Sequence, residues 1–280
     1  MRYQGGKSRI AKPIAEVINS AISWWQEPNS EAYCRDNKQE YSESKIATHT
    51  HTHTHTHTHT DVIFVSLFCG SCSVESKVDC KNKILNDNHK YLIAMLKAVQ
   101  NGYELPEYIS EEQYHYIKNH KDEDMALTGF VGFGCSFGGR FFEGYARNAT
   151  NTNYALQSKT SLLKDISTLM NAEFTCVDYR NVSIDNNAIV YADPPYVDTK
   201  RIHNKVFDTE AFWEYARDIS KTNLIFISEQ TAPDDFVPIW EKQVTRTLDR
   251  NKDNQFKATE KLFVHNNWVD YMQEILNRKE

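Results

Sequence analysis

The sequence predicts an α/β fold on a largely parallel sheet, interrupted by one inserted unit. Short apolar, β-branched runs at 62–67, 83–85, 174–177, 189–192 and 224–228 read as buried strands. Segments with helical apolar spacing fall between several of them, and strands alternating with helices give parallel sheets. A Tyr- and Gly-rich stretch at 104–165 breaks that alternation and reads as a compact, mostly helical insertion.

The elements follow in order. Ile14, Val17, Ile18 and Ile22 recur at helical spacing, with Pro13 tolerable near the first turn of that helix. Residues 26–61 are polar and irregular, and Thr48 to Thr60 alternates Thr with His, using six of the eleven histidines. Alternation without an apolar face gives a strand nothing to bury, so a loop is expected. No acidic or Cys partners accompany these histidines, and no metal site is predicted. The same alternation is what a repeated AC dinucleotide encodes, as ACA then CAC; a drifted polar linker is the alternative. Val62 to Leu67 and Lys83 to Leu85 are the first two strands, and Leu92, Met95, Leu96 and Val99 mark a helix. In the insertion, the glycines of 128–134 and 138–142 are expected to break regular structure. Beyond it come strands at 174–177, 189–192 and 224–228, with a helix at 210–219. Residues 1–103 and 166–280 are thus expected to form one domain, with 104–165 inserted.

At 280 residues the chain can bury a substantial core. It contains no run of the ~20 apolar residues that a membrane span needs. Arg2, Lys7 and Arg9 charge the amino-terminal segment at once, where a signal peptide would place an apolar core. The six cysteines (34, 69, 72, 80, 135 and 176) are sparse and fit reduced thiols. A cytoplasmic protein is expected. The net charge of −6 fits nucleic-acid binding poorly, but local basic groups exist. They are Lys7, Arg9 and Lys12; Lys200, Arg201, His203 and Lys205; and Arg140 with Arg147.

The most informative residues are Asp193-Pro194-Pro195-Tyr196, which end the strand at 189–192. Pro195 fixes its own φ and holds Pro194 extended, so the backbone after Asp193 is stiff. A carboxylate, fixed carbonyls and an aromatic ring around one small volume suit a planar group bearing an amino substituent. A strand end with a Pro-Pro turn and a half-buried tyrosine remains the plainer reading.

Three further segments occur with this motif: Tyr3-Gln4-Gly5-Gly6-Lys7, Phe64-Val65-Ser66-Leu67-Phe68-Cys69-Gly70-Ser71-Cys72-Ser73-Val74-Glu75, and Ile84-Leu85-Asn86-Asp87. In this order and with Asp-Pro-Pro-Tyr, they resemble the motifs of Dam-type, D12-class adenine-N6 DNA methyltransferases. The resemblance implies a Rossmann-like, S-adenosylmethionine-dependent methyltransferase sheet. It implies that Asp193, Pro194, Pro195 and Tyr196 are catalytic. Asp193 and the Pro194 carbonyl would accept the two amino hydrogens of adenine, while Tyr196 stacks on the base. The freed nitrogen lone pair then attacks the methyl group directly and in line. Tyr3, Lys7, Phe68, Gly70, Asp87, Asp178 and Asp193 would form the cofactor site, with Asp87 on the ribose and Asp178 near the adenine. A glycine turn after the first strand and an acidic residue 17 positions after Gly70 suit a nucleotide. Ser71 and Cys72 depart from the family's richer glycine pattern.

The implied partner is double-stranded DNA, with the target base flipped out. Residues 104–165 would be the target-recognition insertion, with Arg140, Arg147 and Asn148 as candidate DNA contacts beside Lys200 and Arg201. The resemblance further implies a bacterial or phage origin, and a restriction endonuclease partner accords with the family. Cytosine N4, an RNA base or another amino group stay open as acceptors, as does a catalytically silent DNA-binding relative. Cys69-x-x-Cys72 also reads as a redox motif, a reading that leaves Asp193, Asp87 and Lys7 without a role.

Overall fold

Side chains alternate across each strand, and here they sort into two apolar layers. Phe64, Ile189, Tyr191, Leu224 and Phe226 point to one face, where they pack with Ile14, Ile18, Leu92, Phe130 and Leu162. Val65, Val190, Ala192, Ile225 and Ile227 point to the other, against Phe212, Trp213 and Ala216. Both faces are therefore covered, as a parallel sheet requires. The structure is a computed structural model that describes residues 1, 3–26, 62–195, 207–247 and 255–278. The Thr-His tract, Tyr196, Lys200 and Arg201 lie outside the described residues.

Seven strands form one sheet in the order β3-β2-β1-β4-β5-β7-β6. They are β1 (Ile63–Ser66), β2 (Asn82–Asn86), β3 (Glu173–Thr175), β4 (Ile189–Ala192), β5 (Leu224–Glu229), β6 (Phe236–Thr247) and β7 (Gln255–His265). The first five pair with one another in parallel, and β7 is antiparallel to both β5 and β6. The helices are α1 (Ala11–Trp25), α2 (Lys90–Gln100), α3 (Glu111–Asn119), α4 (Met125–Gly134), α5 (Tyr154–Ile166), α6 (Thr209–Ile219) and α7 (Val269–Asn277). The α/β architecture expected from the sequence is the one observed. The order runs outward from β1 in one direction and from β4 in the other, so a crevice opens between their carboxyl ends, where such sheets bind ligands.

Gly138 and Gly139, at φ +64 and +69, interrupt regular structure as expected, but the glycines of 128–134 do the opposite of what their local preference predicts. Gly129, Gly132 and Gly134 lie within α4, and a Cβ on Gly129 would sit 2.1 Å from the Tyr91 carbonyl oxygen of α2. The residues lower helix propensity but let two helix backbones cross in near contact. Phe130, Phe133, Leu162 and Ile166 of α4 and α5 join the same core as α1 and α2. At the other end of the chain, Tyr271, Met272 and Ile275 of α7 pack into that core as well, with Trp24 edge-on to Tyr271 at 6.2 Å.

Candidate active site

The site is assembled at the carboxyl ends of β1, β2, β4 and β5, and local sequence explains each placement. In the register of β1 against β4, Ser66 lies opposite Tyr191, which brings the turn at Gly70 and Asp193 to the same end of the sheet. Buried Asn86, the last residue of β2, ties three strand ends together. Its amide donates to the carbonyls of Leu67 and Val177 (3.1 Å each) and accepts from Val177 N and Thr175 Oγ1 (3.1 and 2.9 Å). All four hydrogen-bonding capacities of this amide are used, so it pins the floor of the crevice.

Gly70 takes φ +48, and a Cβ there would lie 2.9 Å from Cε1 of Tyr3. Glycine is required by both the left-handed backbone and the approach of the ring. Cys72 is also left-handed, at φ +58, although its thiol is fully buried. The departure from glycine at that position thus puts a small apolar group into the core at a conformational cost of about 1 kcal/mol. Asp87 closes the turn from β2: its carboxylate accepts from Gly70 N at 3.1 Å and from His89 N at 2.9 Å. Burial pushes this carboxyl up to about 6, against the pull of those two amides. Each oxygen retains a second lone pair for a further donor.

The amino-terminal segment closes the crevice. Gly6 N bonds to the Tyr3 carbonyl at 3.1 Å, with Gly5 at φ +77 supplying the left-handed corner. That turn carries Lys7 to the end of β4, where its ammonium lies 3.2 Å from Asp193 Oδ1 and 3.0 Å from Glu260 Oε2. Lys7 is 6% exposed and Glu260 3%. Glu229, which ends β5, is also buried, and burial first of all pushes its carboxyl up to about 7.

Of the residues singled out in the sequence, Tyr3, Lys7, Gly70, Asp87 and Asp193 converge here, followed by the stiff Pro194-Pro195 backbone. Phe68 turns to the opposite face, packing on Tyr179 and Phe212 at ring separations of 5.3 and 6.0 Å. Asp178 lies beyond β3 with its carboxylate held by the Arg180 guanidinium at 2.7 and 2.9 Å. Arg140 pairs with Glu143 at 3.2 Å and follows Gly139, whose carbonyl accepts from Gln4 N at 3.1 Å, so it lies near the amino-terminal segment. Arg147 pairs with Glu111, and Asn148 bonds Thr152 Oγ1 at 2.6 Å. Exposed pairs of this kind contribute little.

Sequence reading missed Glu260. Its signal is an ionisable residue in the inward register of a strand, since Ala258, Glu260, Leu262 and Val264 alternate inward along β7.

The family model for D12 class N6 adenine-specific DNA methyltransferases matches residues 44–130 and 138–234, well over half the chain. The chain belongs to this family. The D12-class enzyme is a methyltransferase, and its methyl donor is S-adenosylmethionine. The cradle fits that donor: a glycine turn under a tyrosine ring, a buried acid closing the second strand, and a pinned crevice floor. Similar solved structures include a proposed RNA methyltransferase from Pyrococcus horikoshii, 10% identical with a TM-score of 0.33. The match covers 90% of this chain and 96% of that one. An S-adenosylmethionine-dependent methyltransferase from Clostridium acetobutylicum is 10% identical with a TM-score of 0.25, covering 77% of this chain and 73% of that one. No curated protein sequence matches the chain. Among the described residues of this D12-class chain, no helix is long and apolar enough to cross a membrane.

Proposed function

We propose that the protein methylates the N6 amino group of adenine in double-stranded DNA, acting on a base flipped out of the helix. The observation that carries this reading is Asp193. It is a carboxylate at the end of a buried parallel strand, followed by two prolines and set beside the Gly70 turn. Adenine N6 is a poor nucleophile because its lone pair is delocalised into the ring. Asp193 accepts one amino hydrogen and the Pro194 carbonyl the other, which turns the nitrogen toward tetrahedral geometry and localises the lone pair. S-adenosylmethionine, when bound, would supply a methyl group activated on sulfur; its bond to sulfur would break as the bond to N6 forms in line, and N6 would then give up its surplus proton to solvent. Tyr196 supplies the stacking face for the base. Gly70, Tyr3 and Asp87 hold the cofactor turn, and Lys7 orders the junction between the two halves. Positioning and preorganised charge carry the rate.

A paired, stacked adenine cannot reach a crevice at the end of a sheet, which is the reason for base flipping. Arg140, Arg147 and Asn148 of the 104–165 insertion, with Lys200 and Arg201 after the Pro-Pro motif, are the proposed DNA contacts. On this reading the protein works in the cytoplasm of a bacterial or phage-infected cell, alone or beside a restriction endonuclease.

Asp193→Ala tests the assignment. The variant is expected to lose methyl transfer to unmethylated duplex DNA while S-adenosylmethionine affinity, measured by calorimetry, stays largely intact. Near-parental turnover would remove Asp193 from catalysis. Labelled transfer to cytosine N4, tRNA, rRNA or protein in place of duplex adenine would overturn the acceptor.

A further inference from the structure

Three ionisable side chains from three distant parts of the chain meet at the end of β4. Lys7 comes from the segment before α1, Asp193 from just after β4, and Glu260 from the antiparallel strand β7. The ammonium of Lys7 lies between the two carboxylates, at 3.2 and 3.0 Å, with Lys7 and Glu260 almost wholly buried. A lysine touching Asp193 alone would be a liability in the proposed reaction. Its charge would draw off the electron density that Asp193 must offer to the adenine amino group. Its N–H would also compete with that amino group for the same oxygen. A second carboxylate on the same ammonium relieves both problems.

From this geometry we infer that Glu260 is a positioning residue, holding Lys7 and balancing its charge so that Asp193 keeps its acceptor strength toward the amino group. The inference rests on the catalytic reading of Asp193. Glu260 acts through Lys7, with which its carboxylate is hydrogen-bonded. The arrangement leaves one net negative charge when all three groups are ionised. That charge suits the positive charge which develops on the acceptor nitrogen as it is methylated. Burial makes such balance consequential, because charges interact far more strongly away from water.

Other titratable groups act on Asp193 from the elements around it. They are Glu229 at the end of β5, Glu75 in the turn after the cofactor loop, Tyr3 in the amino-terminal segment and Tyr191 within β4. Glu229 and Tyr191 also feel Glu260 directly. Any pH effect of changing Glu260 is therefore read against Glu229→Gln, which removes another carboxylate that acts on Asp193.

Glu260→Gln keeps the size and an acceptor oxygen but removes the charge. Its kcat on duplex DNA is expected to fall about tenfold or more. KM for DNA and affinity for S-adenosylmethionine should change little. With Lys7 no longer balanced, Asp193 holds its proton less readily, so the acid limb of the kcat–pH profile should move to lower pH. Glu260→Asp, which retains the charge, should recover part of kcat and leave that limb in place. In a Lys7→Met background, Glu260→Gln should add almost nothing.

A purely structural role would lower the melting temperature and the active fraction but not move the acid limb, and that result overturns the inference. So do an unchanged kcat and profile, or a loss confined to cofactor affinity. If Glu260→Gln does not fold, the Asp variant decides: an acid limb that moves with the charge retained overturns the inference. Asp193→Ala separates the two readings. An inactive Asp193→Ala beside a fully active Glu260→Gln removes only the role of Glu260, whereas an active Asp193→Ala removes the catalytic reading itself.

Discussion

At the scale of single residues, Asp87 is where pH should enter cofactor binding. Its buried carboxyl sits at about 6, within reach of ordinary assay conditions. As pH falls through that value the carboxylate takes a proton and loses acceptor capacity toward the Gly70 amide and toward a ribose hydroxyl. Affinity for S-adenosylmethionine is therefore expected to weaken between about pH 7 and about pH 5. Asp87→Asn should bind more weakly at the upper end, by ~1.5–3 kcal/mol for a lost charge-assisted hydrogen bond, and show a flat profile over the interval. Calorimetric titration of both proteins at the two pH values checks this. A parent with flat affinity would remove ionised Asp87 from the binding interaction.

At the scale of elements, the turn after β1 is held by an acid that prefers to be neutral. Ser66 Oγ, on the last residue of β1, donates to Glu75 Oε1 at 2.7 Å. Burial raises Glu75 from the usual 4.5 to about 7. The folded state thus favours the protonated form. Its contribution to stability is complete below pH 4.5, declines as pH rises, and is fully lost above about pH 7. Glu75→Gln removes the ionisation and keeps the acceptor. Relative to the parent, it is expected to gain on the order of 3 kcal/mol between about pH 4.5 and about pH 8, since each tenfold change in proton affinity is worth about 1.4 kcal/mol. Chemical denaturation across that range tests it; a constant offset between the two proteins would show that Glu75 does not titrate in this interval. The elements themselves were legible unevenly. The parallel strands announce themselves by continuous apolar runs, and Gly70, Asp87, Lys7 and Asp193 sit in short segments that carry their own meaning. The glycines of α4 misled because their purpose is a helix crossing, and crossings leave no local trace. Glu260 stands in the inward register of β7, but its partnership with Lys7 joins residues 253 positions apart and leaves no local signature in either segment.

At the scale of the whole molecule, the Thr-His tract of residues 48–60 falls between α1, which ends at Trp25, and β1, which starts at Ile63. If an unbroken AC repeat encodes it, gain or loss of one dinucleotide shifts the reading frame ahead of Gly70 and Asp193. Expression would then switch on and off among clonal cells. Sequencing the gene in such isolates is expected to find the repeat uninterrupted and variable in length, whereas mixed Thr and His codons would sink the idea. In-frame removal of 48–60 should leave methyl transfer nearly unchanged, because a connecting segment tolerates changes of length at small entropic cost. A large loss of activity would instead give the tract a part in the enzyme.

The hydrogen bond from Lys7 to Glu260 spans 253 positions of the chain. Translation at about 5–20 residues per second separates the synthesis of its two ends by on the order of ten to fifty seconds. Once Asp193 has been made the cofactor turn and both partners of the Lys7–Asp193 pair exist, yet the carboxylate that completes the junction does not. Contacts of such long range also slow the final closure, since the chain must close the loop before the bond rewards it. Completion of the junction around Lys7 is therefore a late event in the birth of the molecule.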